Sequence, residues 1–466
     1  MTHQLDEPTK QPTTPLGRLV SAILSALNAC KMAYCVMRNY DGLPDEIGND
    51  LDIAVETKHL EAAGREVLRA ARDCHWQVMR QVRRQGTWSI YCGWRRREGH
   101  CEFMHVDLWT DSLYRRMRWA NIDHLIAGRR RYGGYWVPSP GAEAAMAVRG
   151  LLAEGTVRGK YRPKCVTGAK EDKDEFRACL AGYFSSEMIA TLEDGMARAD
   201  WAGLAAMSGK LRRHWRLRAA LRRPFSQARL LFRFMAERMG ELTEPNGLFV
   251  ALIGPDGSGK TTIAKGVEQR MGQAVFAASS YKHVRPGWLP SLSSLLAVAT
   301  RGRTGTYAEG SRVAPSPSTE LPVLRALANV CYYWMEFMAA HCMIRRVKSK
   351  GHLIIYDRYF FEYFIQIGYR RVPRGLLQAL VRMIPQPDFV VYLRNSPDVI
   401  RRRKAELTEQ EIIYQSRMCE QVIASRNNSV VVDTDKPIDD VVEEVVDHIV
   451  DLLQRRAQRW QPSSKG

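Results

Sequence analysis

An α/β fold in more than one domain is what the sequence predicts, on three observations. The apolar run Leu248–Ile253 passes directly into a glycine-rich turn and then a helical pattern, the opening of a parallel α/β sheet. Two later apolar runs, His352–Tyr356 and Pro387–Leu393, fall at spacings that leave room for crossover helices. Near the start, Tyr34–Met37, Asp50–Val55 and Glu102–Leu108 read as short strands rich in Val, Ile, Phe and Tyr, mixed with helices. That pattern predicts a separate α+β unit.

At 466 residues the chain is too long for one ordinary core. Residues 1–15 are polar with three prolines and are expected to be disordered. An α+β domain is expected over 16–165, a helical basic connector over 166–245, and a parallel-sheet domain over 246–460. The cluster Leu242–Gly247, with Pro245, Asn246 and Gly247, marks the last boundary. Residues 284–322 are rich in Gly, Pro, Ser and Thr and read as a mobile loop or insertion. Val430–Asp433 reads as the last strand. Ile438–Arg456 is the final helix, with Val441, Val442, Val445, Val446, Ile449 and Leu452 on one face.

Composition narrows the class. Hydrophobic residues make up 45% and charged residues 26%, which excludes a disordered or fibrous chain. The formal charge of +19 favours anionic partners without choosing among nucleotides, nucleic acid, phosphorylated glycans and anionic membranes. Ten cysteines show no CxxC pair, so scattered buried thiols are expected instead of a zinc site. Leu16, Leu19, Val20, Ile23 and Leu27 fall at helical spacing and predict an amphipathic first helix. Leu321–Ile344 is apolar but holds Arg325, Glu336 and His341, which predicts a packed core helix and not a spanning one. The chain is read as cytoplasmic, or peripheral to the inner membrane surface.

The turn Gly254-Pro255-Asp256-Gly257-Ser258-Gly259-Lys260-Thr261 carries the clearest chemistry. Glycines let backbone N–H groups turn inward around phosphate oxygens, and the new helix faces the anion with its positive end. Lys260 is placed to reach β- and γ-phosphates, and the Thr261 hydroxyl to ligate magnesium. Gly254, Gly257, Ser258, Gly259, Lys260, Thr261 and Thr262 are therefore the expected nucleotide-binding set. A second constellation, Asp357-Arg358-Tyr359, ends the strand His352–Tyr356. Ligands gather at the carboxyl ends of parallel strands, so Asp357 is expected beside the turn holding magnesium, with Arg358 on an acceptor phosphate. Ser396-Pro397-Asp398 starts a helix bearing Arg401, Arg402, Arg403 and Lys404, a basic segment suited to closing over a transferring phosphoryl group.

GPDGSGKTT, then DRY at 357–359, PDFVVYL and the RRRK run at 401–404 together resemble the thymidylate kinase group of P-loop nucleoside monophosphate kinases. The resemblance covers nearly all of 248–455. It implies an ATP- and Mg2+-dependent kinase in which Asp256 and Asp357 supply carboxylates near metal and acceptor. It also implies that Arg401, Arg402 and Arg403 supply the catalytic charge that a turn without arginine lacks. Where that group carries an arginine for the thymidine base, this chain has Tyr333-Trp334-Met335-Glu336-Phe337. The implied acceptor is thus a nucleotide or nucleotide-like molecule, with dTMP as one candidate. The segment Arg402–Gln415 also resembles kinase-like proteins encoded with bacterial envelope-glycan enzymes.

In the N-terminal half, Asp50 and Asp52 stand two apart on a strand and so share a face. Asp107 ends the apolar run Phe103–Val106, and three converging carboxylates can hold magnesium ions on a triphosphate. Met37-Arg38-Asn39-Tyr40 reads as a phosphate-contacting turn, and the helix with Lys160, Tyr161 and Arg162 as a possible substrate contact. The arrangement resembles the nucleotidyltransferase superfamily over residues 20–165, with Arg38-Asn39 where that superfamily has Gly-Ser. The resemblance implies either an active site or a degenerate nucleotide-binding domain.

Lys210–Arg233 is densely basic, holds no acid, and interleaves Trp215, Leu217, Leu221, Phe225, Leu230, Leu231 and Phe232. Such a segment suits an anionic membrane, a nucleic-acid backbone or a solvated connecting helix. Three function classes follow: a small-molecule kinase fused to a nucleotidyltransferase-like domain, a nucleic-acid end-processing protein, and a membrane-associated kinase of an envelope-glycan precursor. The oligomeric state is open, a dimer included.

Overall fold

Strand and helix assignments come from a computed structural model that describes residues 11–48, 50–84, 86–95, 101–110, 112–114, 117–120, 122–222, 224–283, 285–287, 289, 320–403 and 408–459. The chain divides into two compact units, one built largely on residues 11–239 and the other on 240–452.

In the first unit, Thr14 caps the opening helix Pro15–Ala29, its Oγ1 accepting from the Gly17 N–H at 2.9 Å. Leu19, Val20, Ile23 and Leu27 are buried, the face their spacing predicts. The amides of Thr13 and Thr14 donate to Asp45 at 2.9 and 2.8 Å. The expected disorder therefore does not extend to residue 15; residues 1–10 lie outside the described ones.

A five-stranded mixed sheet follows, in the order Tyr34–Val36, Asp50–Val55, Cys101–Trp109, Thr87–Arg95, Gln77–Arg84. The last two strands were not expected from the sequence. Their polar and basic residues alternate with Met79, Val82, Trp88, Ile90 and Cys92, which fill the core. Asp107 also departs from expectation: it lies inside a strand that runs on to Trp109 and does not end it. The Asp50 strand pairs in parallel with it, Asp52 opposite Asp107.

The helices from Pro140 to Arg222 do not stand apart as a connector. Val148, Leu151, Phe176, Leu192, Leu211 and Trp215 share one apolar core. The physical reason is that a helix in the expected connector range buries its own apolar face against the Pro140–Glu154 helix. Only the helix Pro224–Thr243 stays largely exposed.

The second unit is a five-stranded parallel sheet in the order Ser279–His283, Leu353–Asp357, Leu248–Ile253, Phe389–Arg394, Ser429–Asp433. Leu248–Ile253 is central and buried at every position, which is why its sequence is an unbroken apolar run. The boundary glycine has a steric reason. A Cβ at Gly247 would come within 2.4 Å of the His352 carbonyl, where Gly247 N–H donates to Lys348. The expected single helix over Leu321–Ile344 is two, Val323–Ala339 and His341–Ser349, with Ala340 between them. Among the described residues no helix is long and apolar enough to cross a membrane. The loop expected over 284–322 lies almost wholly outside the described residues.

Cysteine placement is more varied than buried thiols alone. Cys35, Cys92, Cys165 and Cys419 are buried, whereas Cys30, Cys331 and Cys342 are exposed.

Behind the sheet, Phe337 meets Tyr359 at 4.9 Å and Phe360 at 5.7 Å between ring centroids, both edge-on. Replacing Phe337 with Ala removes this packing from a site 1% exposed. Urea unfolding of the variant is expected to show the second unit destabilised by about 3–5 kcal/mol.

Candidate functional site

In the second unit the site begins where the central strand stops. Leu252 and Asp357 are register partners on adjacent parallel strands, so the glycine-rich turn and the Asp357 carboxylate emerge at the same edge. The turn leaves Ile253 and enters the helix Lys260–Val275. Gly257 and Gly259 hold φ values of 90° and 86°, left-handed conformations that glycine adopts without strain. Gly259 caps the helix without any side-chain bond, so the first amides keep no side-chain acceptor of the capping residue.

Lys260 is 5% exposed, and its Nζ donates to the carbonyls of Gly254 and Pro255 at 2.8 and 2.7 Å. Burial, and then the nearby Arg358 charge, hold its pKa below the ordinary lysine value. The Thr261 hydroxyl donates to Asp357 Oδ2 at 2.6 Å, and the Tyr281 hydroxyl reaches the same oxygen at 2.9 Å. Burial pushes the Tyr281 pKa up to about 12, which keeps it a donor. Asp357 is 1% exposed, and its Oδ1 is buried with no hydrogen-bond partner. A buried carboxylate oxygen beside a threonine hydroxyl is a donor set that fits a hard divalent cation.

Arg358 takes a φ of 63°, in the left-handed region that non-glycine residues rarely occupy. Its N–H donates to the Leu252 carbonyl at 3.1 Å, which holds it against the central strand. The guanidinium pairs with Asp256 in the turn and with Glu362 at 3.3 Å. Asp256 N–H donates to Gln415 Oε1 at 3.4 Å. The structure thus brings Asp256, Ser258, Lys260, Thr261, Asp357 and Arg358 together. It leaves Arg401 and Arg402 exposed on the helix Pro397–Arg403, where Arg401 Nη1 lies 3.7 Å from Glu409. The side chain of Arg403, and Lys404 altogether, lie outside the described residues.

Sequence reasoning missed several neighbours. Tyr281 and His283 come from the edge strand Ser279–His283, whose polar SSYKH carries no apolar signal. His283 Nε2 stands 3.8 Å from Asp357. Arg285 lies two residues further on, paired with the fully buried Glu336 at 2.7 Å and set over the Tyr333 ring at 4.5 Å. Tyr333 in turn stacks on Tyr363. The acid-and-aromatic segment 333–337 is thus neutralised by an arginine from outside it.

In the first unit, Asp50, Asp52 and Asp107 do converge, but Arg38 lies among them. Its Nη2 is 2.9 Å from Asp50 Oδ2, and its Nε pairs with Asp52 Oδ2. Trp109 Nε1 donates to the other Asp52 oxygen at 2.9 Å. Burial, and then Asp52, raise the Asp107 pKa above the usual carboxylate range. Both oxygens of the buried Asp52 already accept from N–H donors, so this trio does not fit a pair of magnesium ions as it stands. A cavity of about 320 Å³ opens beside it, lined by Met37, Trp109, Met146, Arg149, Tyr161 and Lys164 among others. Lys160 and the cavity-lining Tyr161 both lie 3.3 Å from Asn39 Oδ1, while Arg162 Nε donates to the Val157 carbonyl. His124, Glu175 and Cys179 lie within 4.8 Å of one another, with His124 and Glu175 paired at 3.1 Å. Burial and Glu175 push the Cys179 thiol up to about 12, so it stays protonated.

No protein-family model matches the chain, and no curated protein is similar to it. Solved structures do resemble part of it. The thymidylate kinase of Candida albicans is similar at 16% identity over 45% of this chain and 94% of its own, with a TM-score of 0.34. The thymidylate kinase of Ehrlichia chaffeensis is similar at 15% identity over 44% of this chain and 98% of its own, with a TM-score of 0.30.

Gly254 sets the sharpest steric limit in the turn. A Cβ there would stand 2.7 Å from Ser258 Oγ and 2.8 Å from the Leu393 carbonyl. Backbone atoms cannot step aside, so Gly254→Ala is expected to overpack the turn and destabilise the second unit by about 1–3 kcal/mol in urea unfolding.

Proposed function

We propose that the second unit is a P-loop phosphotransferase of the thymidylate-kinase-like kind. It takes ATP with magnesium and passes the γ-phosphoryl to a nucleotide or nucleotide-like acceptor. The observation that carries this is the Thr261–Asp357 hydrogen bond beside buried Lys260, at the end of a central parallel strand. Lys260 now donates to loop carbonyls, and phosphate oxygens would take over those donors. Thr261 and Asp357 would hold magnesium, which neutralises charge on the phosphates. Arg358, held by Asp256 and Glu362, would orient the acceptor's phosphate with its planar fork. The acceptor oxygen bonds to the γ-phosphorus as the β–γ bridging bond breaks, and ADP leaves. Arg401, which would leave Glu409, and Arg402, both exposed on their helix, would close over that transfer.

The acceptor's identity turns on the segment around Glu336. Its buried carboxylate is committed to Arg285, so a base reader there is the Arg285–Tyr333 pair. Labelled ATP with a panel holding dTMP, other nucleoside monophosphates and sugar phosphates tests the reading. Lys260→Ala is expected to lower phosphoryl transfer by at least about 10²-fold. Arg358→Ala is expected to raise the acceptor KM more than it lowers kcat. Full turnover in the Lys260 variant would remove the kinase assignment. A panel that yields only phosphorylated nucleic-acid ends would replace it with end processing.

For the first unit we infer a degenerate nucleotidyltransferase-like domain in which Arg38 serves as the carboxylates' counter-charge. The support is the guanidinium between Asp50 and Asp52, with Trp109 on the remaining Asp52 oxygen. Nucleotide-free chain is expected to bind no Mn2+ through these carboxylates, followed by electron paramagnetic resonance, and Arg38→Met to create such a site. Mn2+ binding by the unaltered chain that Asp52→Asn abolishes would overturn the inference.

A further inference from the structure

The helix Pro224–Thr243 carries a surface that the proposed phosphoryl-transfer site does not use. Phe225, Phe232 and Met239 recur every seventh residue, which aligns them along one side, and Met235 falls beside them. These are large apolar side chains held in water: Phe225 is 89% exposed, Phe232 74%, Met239 63% and Met235 58%. Burying them is favourable, and exposed stripes of this kind mark contact surfaces. Arg229 stands one helical turn from both Phe225 and Phe232, and Arg233 follows on the same flank. Both are exposed and have no ion-pair partner among the described residues. The helix's acids, Glu237 and Glu241, continue the row of Arg229 and Arg233 at four-residue steps, turned away from the apolar stripe, and are partly buried. The preceding helix ends in the same style, with Leu217 58% and Leu221 80% exposed beside exposed Arg213 and Arg216.

We propose that this face docks on an anionic lipid bilayer, with the apolar stripe at the acyl boundary and the arginines among the headgroups. Charge complementarity selects that occupant. A second copy laid stripe to stripe would bring the arginine flanks together, where like charges repel. A nucleic-acid backbone would satisfy the arginines and leave the stripe in water. An anionic bilayer takes both at once, the combination an interfacial helix needs. The formal charge of +19 on the whole chain acts in the same sense.

Flotation of the full chain with phosphatidylcholine vesicles, with and without phosphatidylglycerol, tests this. Co-flotation is expected only with the anionic vesicles and is expected to fall as salt is raised. The pair Phe225→Ser and Phe232→Ser should lower the bound fraction at least about tenfold. Since both residues are exposed, thermal unfolding should be unmoved. Arg229→Gln with Arg233→Gln should weaken binding and flatten its salt dependence. The proposal is overturned by absence of flotation on anionic vesicles, by equal flotation on neutral ones, or by binding that survives the phenylalanine changes. A dimer in sedimentation that dissociates on Phe232→Ser would assign the face to a second copy instead.

Discussion

One hydrogen bond depends on nearly everything else in the second unit: Thr261 Oγ1 to Asp357, 2.6 Å from a helix to a strand. Its donor stands at the first turn of a helix, its acceptor at the end of a strand 96 residues on. Only the pairing of Leu248–Ile253 with Leu353–Asp357 brings them level. That pairing rests in turn on the aromatic layer behind it, where Tyr359 meets Phe249, Phe337 and Tyr356 edge to face and Phe249 lies tilted against Tyr356. Loosening of this core would reach the carboxylate through the strand register and not through any direct contact.

The same unit stores charge in a compact arrangement. Lys260 and Arg358 are both largely buried and each lies among carboxylates and carbonyls of the turn. Such pairs are costly to bury unless every charge has a partner. The turn therefore holds the cations in place of the phosphate groups proposed to displace it. The left-handed backbone at Arg358 belongs to this economy, because it lets one residue bond to the central strand and still aim its side chain at Asp256.

In the first unit an arginine stands where carboxylates converge. Asp52 faces Asp107 in register, and a parallel pair of this kind gathers carboxylates on one face of the sheet. Arg38 ends that gathering as an ion-pair cluster, with Asp50 and Asp52 both bound to its guanidinium. The neighbouring cavity sets Arg149 over the Trp109 ring at 4.9 Å and mixes apolar side chains such as Met37 and Met146 with the charged Arg38, Glu143 and Lys164.

Local signals carried much of this. An unbroken apolar strand, a turn with glycine at 254, 257 and 259, and a lysine at its end are covalent neighbours, so their relation is legible without a fold. The period-two spacing of Asp50 and Asp52 is legible for the same reason. What the tertiary structure alone decided are relations between residues far apart in the chain. It set Arg38 against the carboxylates, Tyr281 on Asp357, and Arg285 on Glu336, and it folded the supposed connector helices into the first unit's core. Polar strands such as Ser279–His283 announce nothing by themselves, because hydrophobic period reports burial and not pairing. Long-range register supplies the partner, and with it the chemistry.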